Sequence, residues 1–234
     1  MTDEQEHSNL PIEGGTITSV EQVLRKRGYY LIYLDHAEDA ALTLHEDIVV
    51  RYKLLKGTVL SEAAIEDVQV ASERHQAYML AVAYLGARAR TAKEIERYLL
   101  RKEVQPELIA QVVERLENDH FIDDQDYAMR FAGTRLRLQN KGSRRIKQEL
   151  IQRGVAKRVA AAAVDSLDEE AELQAAVRVA AKKWPYLKGE DRERKRKLMM
   201  FLLRRGYPHP IVKQAMTNVT QEVIEDDDSQ MLDN

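Results

Sequence analysis

The sequence predicts a mostly α protein: three tandem three-helix repeats in an elongated curved array, preceded by a small β-hairpin or three-stranded element and two helices. Three observations carry this. A segment of roughly 50 residues recurs along the second two thirds of the chain, a solenoid-like period. Glycine and proline, which interrupt helices, number only 10 and 5 in 234 residues. One short run, Tyr29-Tyr30-Leu31-Ile32-Tyr33-Leu34, has the aromatic and β-branched composition of a strand.

The expected divisions follow the chain. Residues 1–15 lack apolar periodicity and read as a disordered tail. Residues 16–70 hold the β element and two helices. Ile17–Arg27 fits either a first strand or a short helix, Asp35–Asp39 is a polar turn, and Ala40–Leu44 can return as a partner strand. Ile48, Tyr52 and Leu55 share a helical face that Gly57 can end in the left-handed conformation. Ser61 can cap a second helix carrying Ile65, Val68 and Val70. The three repeats occupy 71–120, 121–168 and 169–220, and 221–234 is an acidic tail.

The repeat aligns without gaps from Thr91 onto Gly142, so that Ile95, Leu99, Val104, Val113 and Leu116 fall on Ile146, Leu150, Val155, Val164 and Leu167. A third copy places Leu198, Leu202, Tyr207 and Val219 on Ile146, Leu150, Val155 and Leu167. Each copy reads as helix, helix, turn, helix. Helix one carries Tyr78, Ala81, Val82 and Leu85, then Tyr127, Ala128, Phe131 and Leu136, and in copy three spans about Glu170 to Lys183. Thr91-Ala-Lys-Glu94 is a capping box, in which the hydroxyl and the carboxylate satisfy free backbone N–H groups. Pro106 suits a first helical turn. Gly154 and Gly206 end the middle helices of copies two and three, where copy one has Glu103, which carries left-handed strain unless its turn differs. A three-helix unit of this size is marginal alone, so neighbours must share a core.

Composition bounds the function. With no cysteine, disulfides and thiolate metal sites are excluded, and a reducing compartment is permitted. The start is acidic and polar, and no apolar run approaches a membrane span, so a cytoplasmic protein is expected. The net charge of −3 hides an asymmetry: residues 74–213 hold 30 basic and 19 acidic residues (+11), between a −8 start and a −6 end. A basic middle fits a polyanionic partner, or a well-solvated helical surface.

Three stretches carry a resemblance, the last running from Lys141 to Val155. They are Arg88-Ala-Arg90-Thr91-Ala-Lys-Glu94-Ile95, Phe121-Ile-Asp123-Asp124 with Tyr127-Ala128 and Phe131, and Lys141-Gly142 with Arg145-Ile146, Glu149-Leu150 and Arg153-Gly154-Val155. In order and spacing they resemble the motifs of the RecX family, with Thr91 where the family has Ser, over about 150 residues; the third repeat is the least typical. The Tyr-rich strands and Leu54-Leu-Lys-Gly57 resemble the N-terminal extension of RecX proteins from Gram-positive bacteria. The resemblance implies a cytoplasmic regulatory protein, not an enzyme. Its partners would be the RecA recombinase filament and the single-stranded DNA within it, and it would restrain filament growth, ATP hydrolysis, strand exchange and co-protease activity. A monomer without a cofactor or a membrane attachment is expected.

Asp119, Asp123, Asp124 and Asp126 could be imagined around a hard cation, but they lack calcium-loop spacing, and helix capping by Asp123 or Asp124 is the reading adopted. The six histidines form neither H-x3-H nor H-E-x-x-H, so no metal is expected. No nucleophile elbow, Walker loop or dinucleotide fingerprint is present. Tyr29, Tyr30 and Tyr33 could stack on bases, but alternate strand faces favour packing. Lys102, Arg153 and Arg205 recur where the middle helices close, as the helix dipole favours. Lys93, Arg144 and Arg196 recur in what should be the first turn of each middle helix, where a cation opposes the dipole. Together with Arg145, Lys197, Arg88, Arg90, Arg192 and Arg194 they form a candidate basic stripe facing DNA or an acidic filament surface. The acidic end could mask this stripe or repel duplex DNA, or be a solvated terminus. Rival functions are a direct DNA-binding protein of helix-turn-helix-like repeats and a general helical adaptor scaffold.

Overall fold

A computed structural model describes residues 14–24 and 26–232, the last twelve of these as backbone only. The expected disordered start therefore lies outside the described residues except for Gly14 and Gly15, and Gly15 already opens a strand. The chain divides into two compact units, residues 1–83 with 102–112 and residues 84–101 with 113–234.

The first unit is built on an antiparallel sheet. Strands β1 (Gly15–Gln22), β2 (Tyr29–Leu34), β3 (Leu42–His45) and β4 (Val59–Leu60) stand in the order β3-β2-β1-β4. The ambiguous segment after Ile17 is a strand, because its partner β2 supplies the ladder that a lone helix turn would lack. The sheet has a fourth strand beyond the expected two or three: β4, only two residues long, pairs Leu60 with Gly15 and Val59 with Thr16. The turn after β2 is held by left-handed Asp35 (φ 47°) and His36 (φ 61°), and the Asp35 carboxylate accepts the Thr16 N–H at 2.9 Å. Helix α1 (Glu46–Arg51) is shorter than the sequence suggested. Tyr52 caps it and Lys53 then takes the left-handed conformation (φ 50°), so Tyr52 and Leu55 fall outside the helix and are exposed, and Gly57 (φ 90°) serves the turn into β4 instead. Helix α2 (Glu62–Leu85) starts under the Ser61 hydroxyl, which accepts the Ala64 N–H at 3.2 Å. It runs unbroken through the expected boundary at residue 70, because nothing between Ser61 and Leu85 can stop a helix. Ile65 and Val68 close on Ile17, Ile32, Leu44, Ile48 and Leu54 as one core, whereas Val70 is exposed.

The second unit contains α3 (Ala92–Leu100), the end of α4 (Pro106–Asn118), α5 (Asp124–Gln139), α6 (Ser143–Gln152), α7 (Lys157–Asp165), α8 (Glu169–Lys183), a 3-10 turn at Trp184–Tyr186, α9 (Asp191–Arg204) and α10 (His209–Leu232). The acidic end, expected as a tail, continues α10 as helical backbone to Leu232. The repeat alignment reappears as burial: Ile95, Ile146 and Leu198 are fully buried, as are Leu99, Leu150 and Leu202. The last two copies share one core, centred on Ile146, Leu150, Trp184, Leu198 and Tyr207.

The middle helices of the first two copies are each started by the copy that follows. The Asp124 carboxylate on α5 accepts the Ala92 N–H at the start of α3 (3.0 Å), and the Glu172 carboxylate on α8 accepts the Ser143 N–H at the start of α6 (2.6 Å). Beside each carboxylate the backbones meet. The Thr91 hydroxyl donates to the Arg153 carbonyl (2.8 Å), the Gly142 N–H donates to the Arg205 carbonyl (3.1 Å), and the Arg144 N–H donates to the Gly206 carbonyl (3.0 Å). The Thr91–Glu94 capping box forms as expected, with Glu94 N–H on the Thr91 hydroxyl at 3.1 Å. Such close approach requires glycine. A Cβ on Gly154 would stand 2.2 Å from Lys93 Cβ, and one on Gly206 would stand 2.3 Å from Arg145 Cβ and 2.4 Å from its nitrogen. Glu103, at the matching place in copy one, is left-handed without being glycine (φ 61°).

These turns give substitutions of opposite sign. Glu103→Gly should raise unfolding free energy by about 0.5–1 kcal/mol, because it relieves a left-handed side chain. Gly206→Ala should lower it by about 2–4 kcal/mol, from left-handed strain plus overlap with Arg145. Urea unfolding measures both, and an equal effect of the two would contradict this account of the junction.

Candidate functional site

Within the second unit, α3 and α6 line a cleft of about 450 Å³ formed by Arg88, Glu94, Arg97, Lys141, Arg145, Glu149, Gln152 and Arg153. Five cations face two carboxylates, and both carboxylates are engaged. Glu149 receives the Lys141 ammonium at 2.8 Å and the Arg145 and Arg135 guanidiniums at 3.2 and 3.4 Å. Burial raises the Glu149 pKa, but the Lys141 hydrogen bond and the surrounding cations outweigh it and hold the carboxyl below its ordinary 4.5. Glu94 receives Arg153 at 2.8 Å. The cations left over present a positive, water-accessible surface suited to phosphate or carboxylate groups.

The residues expected in the basic stripe separate into groups. Arg88 and Arg145 line the cleft. Arg196 and Lys197 line a second cavity, also about 450 Å³, with Lys183, Arg204, Leu187, Met200 and Phe201. Lys93 is paired with Glu96, and Lys197 with Glu193 at 2.8 Å. Arg90 is held against Tyr84, donating to its hydroxyl at 2.9 Å with the guanidinium 3.8 Å from the ring centre, and Tyr84 stacks on Tyr98 at 3.9 Å. Arg194 lies over the Trp184 ring at 4.1 Å. The side chains of Arg88, Arg144, Arg192 and Arg196 are exposed and form no hydrogen bond or salt bridge among the described residues. One expectation is corrected. Arg196 is not in a first turn, because α9 begins at Asp191, whose carboxylate and that of Glu193 suit the helix start; the first turn there holds Arg192 and Arg194.

Sequence reasoning missed Arg97, Lys141 and Arg153 as parts of one surface. Arg97 lies one turn after Lys93, the one spacing signal that pointed to it. The helix dipole alone does not account for Arg153 and Arg205, whose side chains reach the preceding copy: Arg153 pairs with Glu94, and Arg205 donates to the Asn140 carbonyl at 3.3 Å beside the Tyr207 hydroxyl at 2.7 Å. Burial pushes Tyr207 up to about 12, so it remains a donor.

The aspartate cluster is spent structurally. Asp123 caps α5, accepting Gln125 and Asp126 N–H at 2.8 and 2.9 Å, and Asp126 pairs with Arg130 at 2.9 Å. Burial raises the Asp124 pKa, partly countered by the Ala92 N–H. Phe131 packs beneath two guanidiniums, Arg135 at 4.5 Å and Arg153 at 5.1 Å. Two of the three β2 tyrosines pack: Tyr30 lies against the first core and Tyr29 meets the His45 ring edge-on at 5.2 Å. Among the described residues no helix is long and apolar enough to cross a membrane.

Three family models match this chain: the first three-helix domain of RecX over residues 77–116, the second over 123–164 and the third over 169–216. A "Regulatory protein RecX" from Bacillus thuringiensis is 30% identical over 217 residues, covering 92% of this chain and 80% of that protein. One from Listeria monocytogenes serovar 1/2a is 29% identical over 220 residues with the same coverage. A crystal structure of regulatory protein RecX superimposes with a TM-score of 0.76 at 26% identity, covering 85% of this chain and 97% of that one. Another, from Lactobacillus salivarius, gives 0.61 at 24% identity, a likeness of fold.

The cleft has a pH signature. Because the folded carboxyl of Glu149 titrates below its unfolded value, its stabilisation is complete above about pH 4.5 and is lost as pH falls through the folded value. Glu149→Gln should cost about 1–3 kcal/mol at neutral pH, from lost charge-assisted hydrogen bonds. The gap from wild type should narrow on acidification, and parallel pH–stability curves for the two proteins would contradict the assignment.

Proposed function

Because this chain belongs to the RecX family, we propose that it regulates a RecA recombinase, binding the RecA–single-stranded DNA filament and restraining its growth, ATP hydrolysis, strand exchange and co-protease activity. The observation that carries the mechanism is the excess of cations in the α3–α6 cleft over carboxylates that are already engaged. The stripe of Lys93, Arg144, Arg145, Arg196 and Lys197, with Arg88, Arg90, Arg192 and Arg194, is the contact surface in this reading. Arg88, Arg144, Arg192 and Arg196 are its most available charges, and Arg97, Lys141 and Arg153 are added to it. A filament repeats its subunits, so three like domains in tandem can engage it several times over, and weak patches sum to tight binding. The action is steric and electrostatic, without a catalytic step, in the cytoplasm and by a monomer.

Direct binding to DNA is the second reading, favoured by the same exposed arginines. The two separate in one experiment. DNA-dependent ATP hydrolysis by RecA is followed with added wild-type protein and with the Arg88→Glu/Arg144→Glu/Arg196→Glu variant, whose fold is checked by circular dichroism. Wild type should inhibit below stoichiometry, and the variant should need about tenfold more protein or greater, with a salt dependence shallower by roughly one per cation removed. Equal inhibition by the two folded proteins would eliminate the surface. Tight DNA binding without any effect on RecA would favour the second reading.

A further inference from the structure

The first unit holds a side-chain cluster that recombinase regulation does not use. His45 ends β3 and caps α1, Asp47 is the second residue of α1, and His75 lies midway along α2. One Asp47 carboxylate oxygen stands 3.5 Å from His45 Nδ1 and 3.8 Å from His75 Nε2. The three candidate donor atoms lie within 4.8 Å of one another. The two imidazoles are stacked with centres 4.4 Å apart and planes inclined by 29°. The Tyr29 ring meets His45 edge-on, with ring centres 5.2 Å apart. Both rings are largely covered, with side chains 17% and 9% exposed, while Asp47 is 66% exposed.

We propose that His45, Asp47 and His75 form a site for one divalent transition-metal ion of the zinc type, completed by water on the open side of Asp47. Two imidazoles and one carboxylate are the donor set of borderline ions such as zinc, cobalt and nickel, and a poor one for magnesium or calcium, which want oxygen throughout. The spacing is close to what such an ion needs. Metal–ligand bonds of about 2.0–2.2 Å around a tetrahedral centre put ligand atoms about 3.3–3.6 Å apart, against the 3.5 and 3.8 Å seen from the carboxylate oxygen. As stacked, the two rings do not aim their lone pairs at one point, so binding needs the His45 ring turned out of the stack and the exposed Asp47 side chain swung toward it. His45 Nδ1 now accepts the Asp47 N–H at 3.2 Å, a long bond at an exposed amide. When the ion takes that lone pair, water can serve the amide in its place. The ion would tie the β3–α1 corner to α2 across 30 residues of chain. Its binding energy then becomes stability of this unit, because the unfolded chain does not hold the three donors together. Sequence spacing hid the site, since no metal-binding motif spans His45 and His75.

The test uses the full-length chain without a histidine tag. Cobalt(II) is titrated in while its visible d–d absorption is recorded, zinc(II) is then added to displace it, and melting temperature is followed with zinc and with magnesium. The expected result is one cobalt per chain with a tetrahedral-type spectrum, displaced by zinc, and a melting temperature raised by zinc and not by magnesium. Asp47→Asn, at an exposed position that leaves the fold intact, should weaken binding at least tenfold, and His75→Ala more. If His75→Ala does not fold, Asp47→Asn decides. No stoichiometric binding to wild type would overturn the proposal. Undiminished binding by Asp47→Asn would place the ion elsewhere on the chain and overturn it equally.

Discussion

The second unit depends on how the first backbone N–H groups of α3 and α6, the middle helices of the first two copies, are satisfied. A helix start leaves donors that must find acceptors, and a buried one left unmet costs about 1–3 kcal/mol. Here the acceptor at α3 and at α6 is a carboxylate from the following copy, Asp124 in one case and Glu172 in the other. Each of the first two copies is therefore complete only when the next has folded against it. The glycines at 154 and 206 follow from the same constraint, since they let the end of one middle helix lie on the start of another. Apolar burial supplies the bulk of the stability through Ile146, Leu150, Leu198 and Leu202. The carboxylates decide the register in which that burial happens.

The same junction shapes the electrostatics of the surface. A cation in a first helical turn is unfavourable alone, but Asp124 and Glu172 supply the negative charge that the helix start prefers, so Lys93 and Arg144 can follow one residue later. Arg153 is drawn inward to Glu94, and Lys141, Arg145 and Arg135 to Glu149, which fixes the cleft walls. What stays outside is Arg88, Arg144, Arg192 and Arg196. A surface whose inner charges are locked and whose outer charges are free can meet a polyanion with little reorganisation, which is how pre-formed sites gain affinity.

Local signals were legible in the sequence and distant partners were not. Strand β2, the Thr91–Glu94 box, the Asp123 cap and the buried rows at Ile95 and Leu99 each depend on residues within one turn or one strand of each other. Strand β4 has two residues, too few for any period to show. Helix α1 ends at Arg51, with Lys53 rather than Gly57 making the left-handed turn, because closure over buried Leu54 imposes that turn on a residue without the preference for it. The start of α9 was misplaced because the alignment carried the start of α6 forward, whereas Asp191 and Glu193 begin the helix earlier. Asp124 and Glu172 act on amides 32 and 29 residues away, and no spacing rule reaches that far. The cleft was half visible for the same reason: its arginines were readable as charges, but which of them meet is a property of the packed copies.

The most direct test of this account is amide hydrogen exchange at Ser143 in wild type and in Glu172→Ala. The account predicts that losing one carboxylate, from α8, strips protection from the Ser143 amide on α6 and lowers stability by about 1–3 kcal/mol. Unchanged protection at Ser143 in a folded Glu172→Ala protein would mean that the copies are held together by something other than the helix start they share.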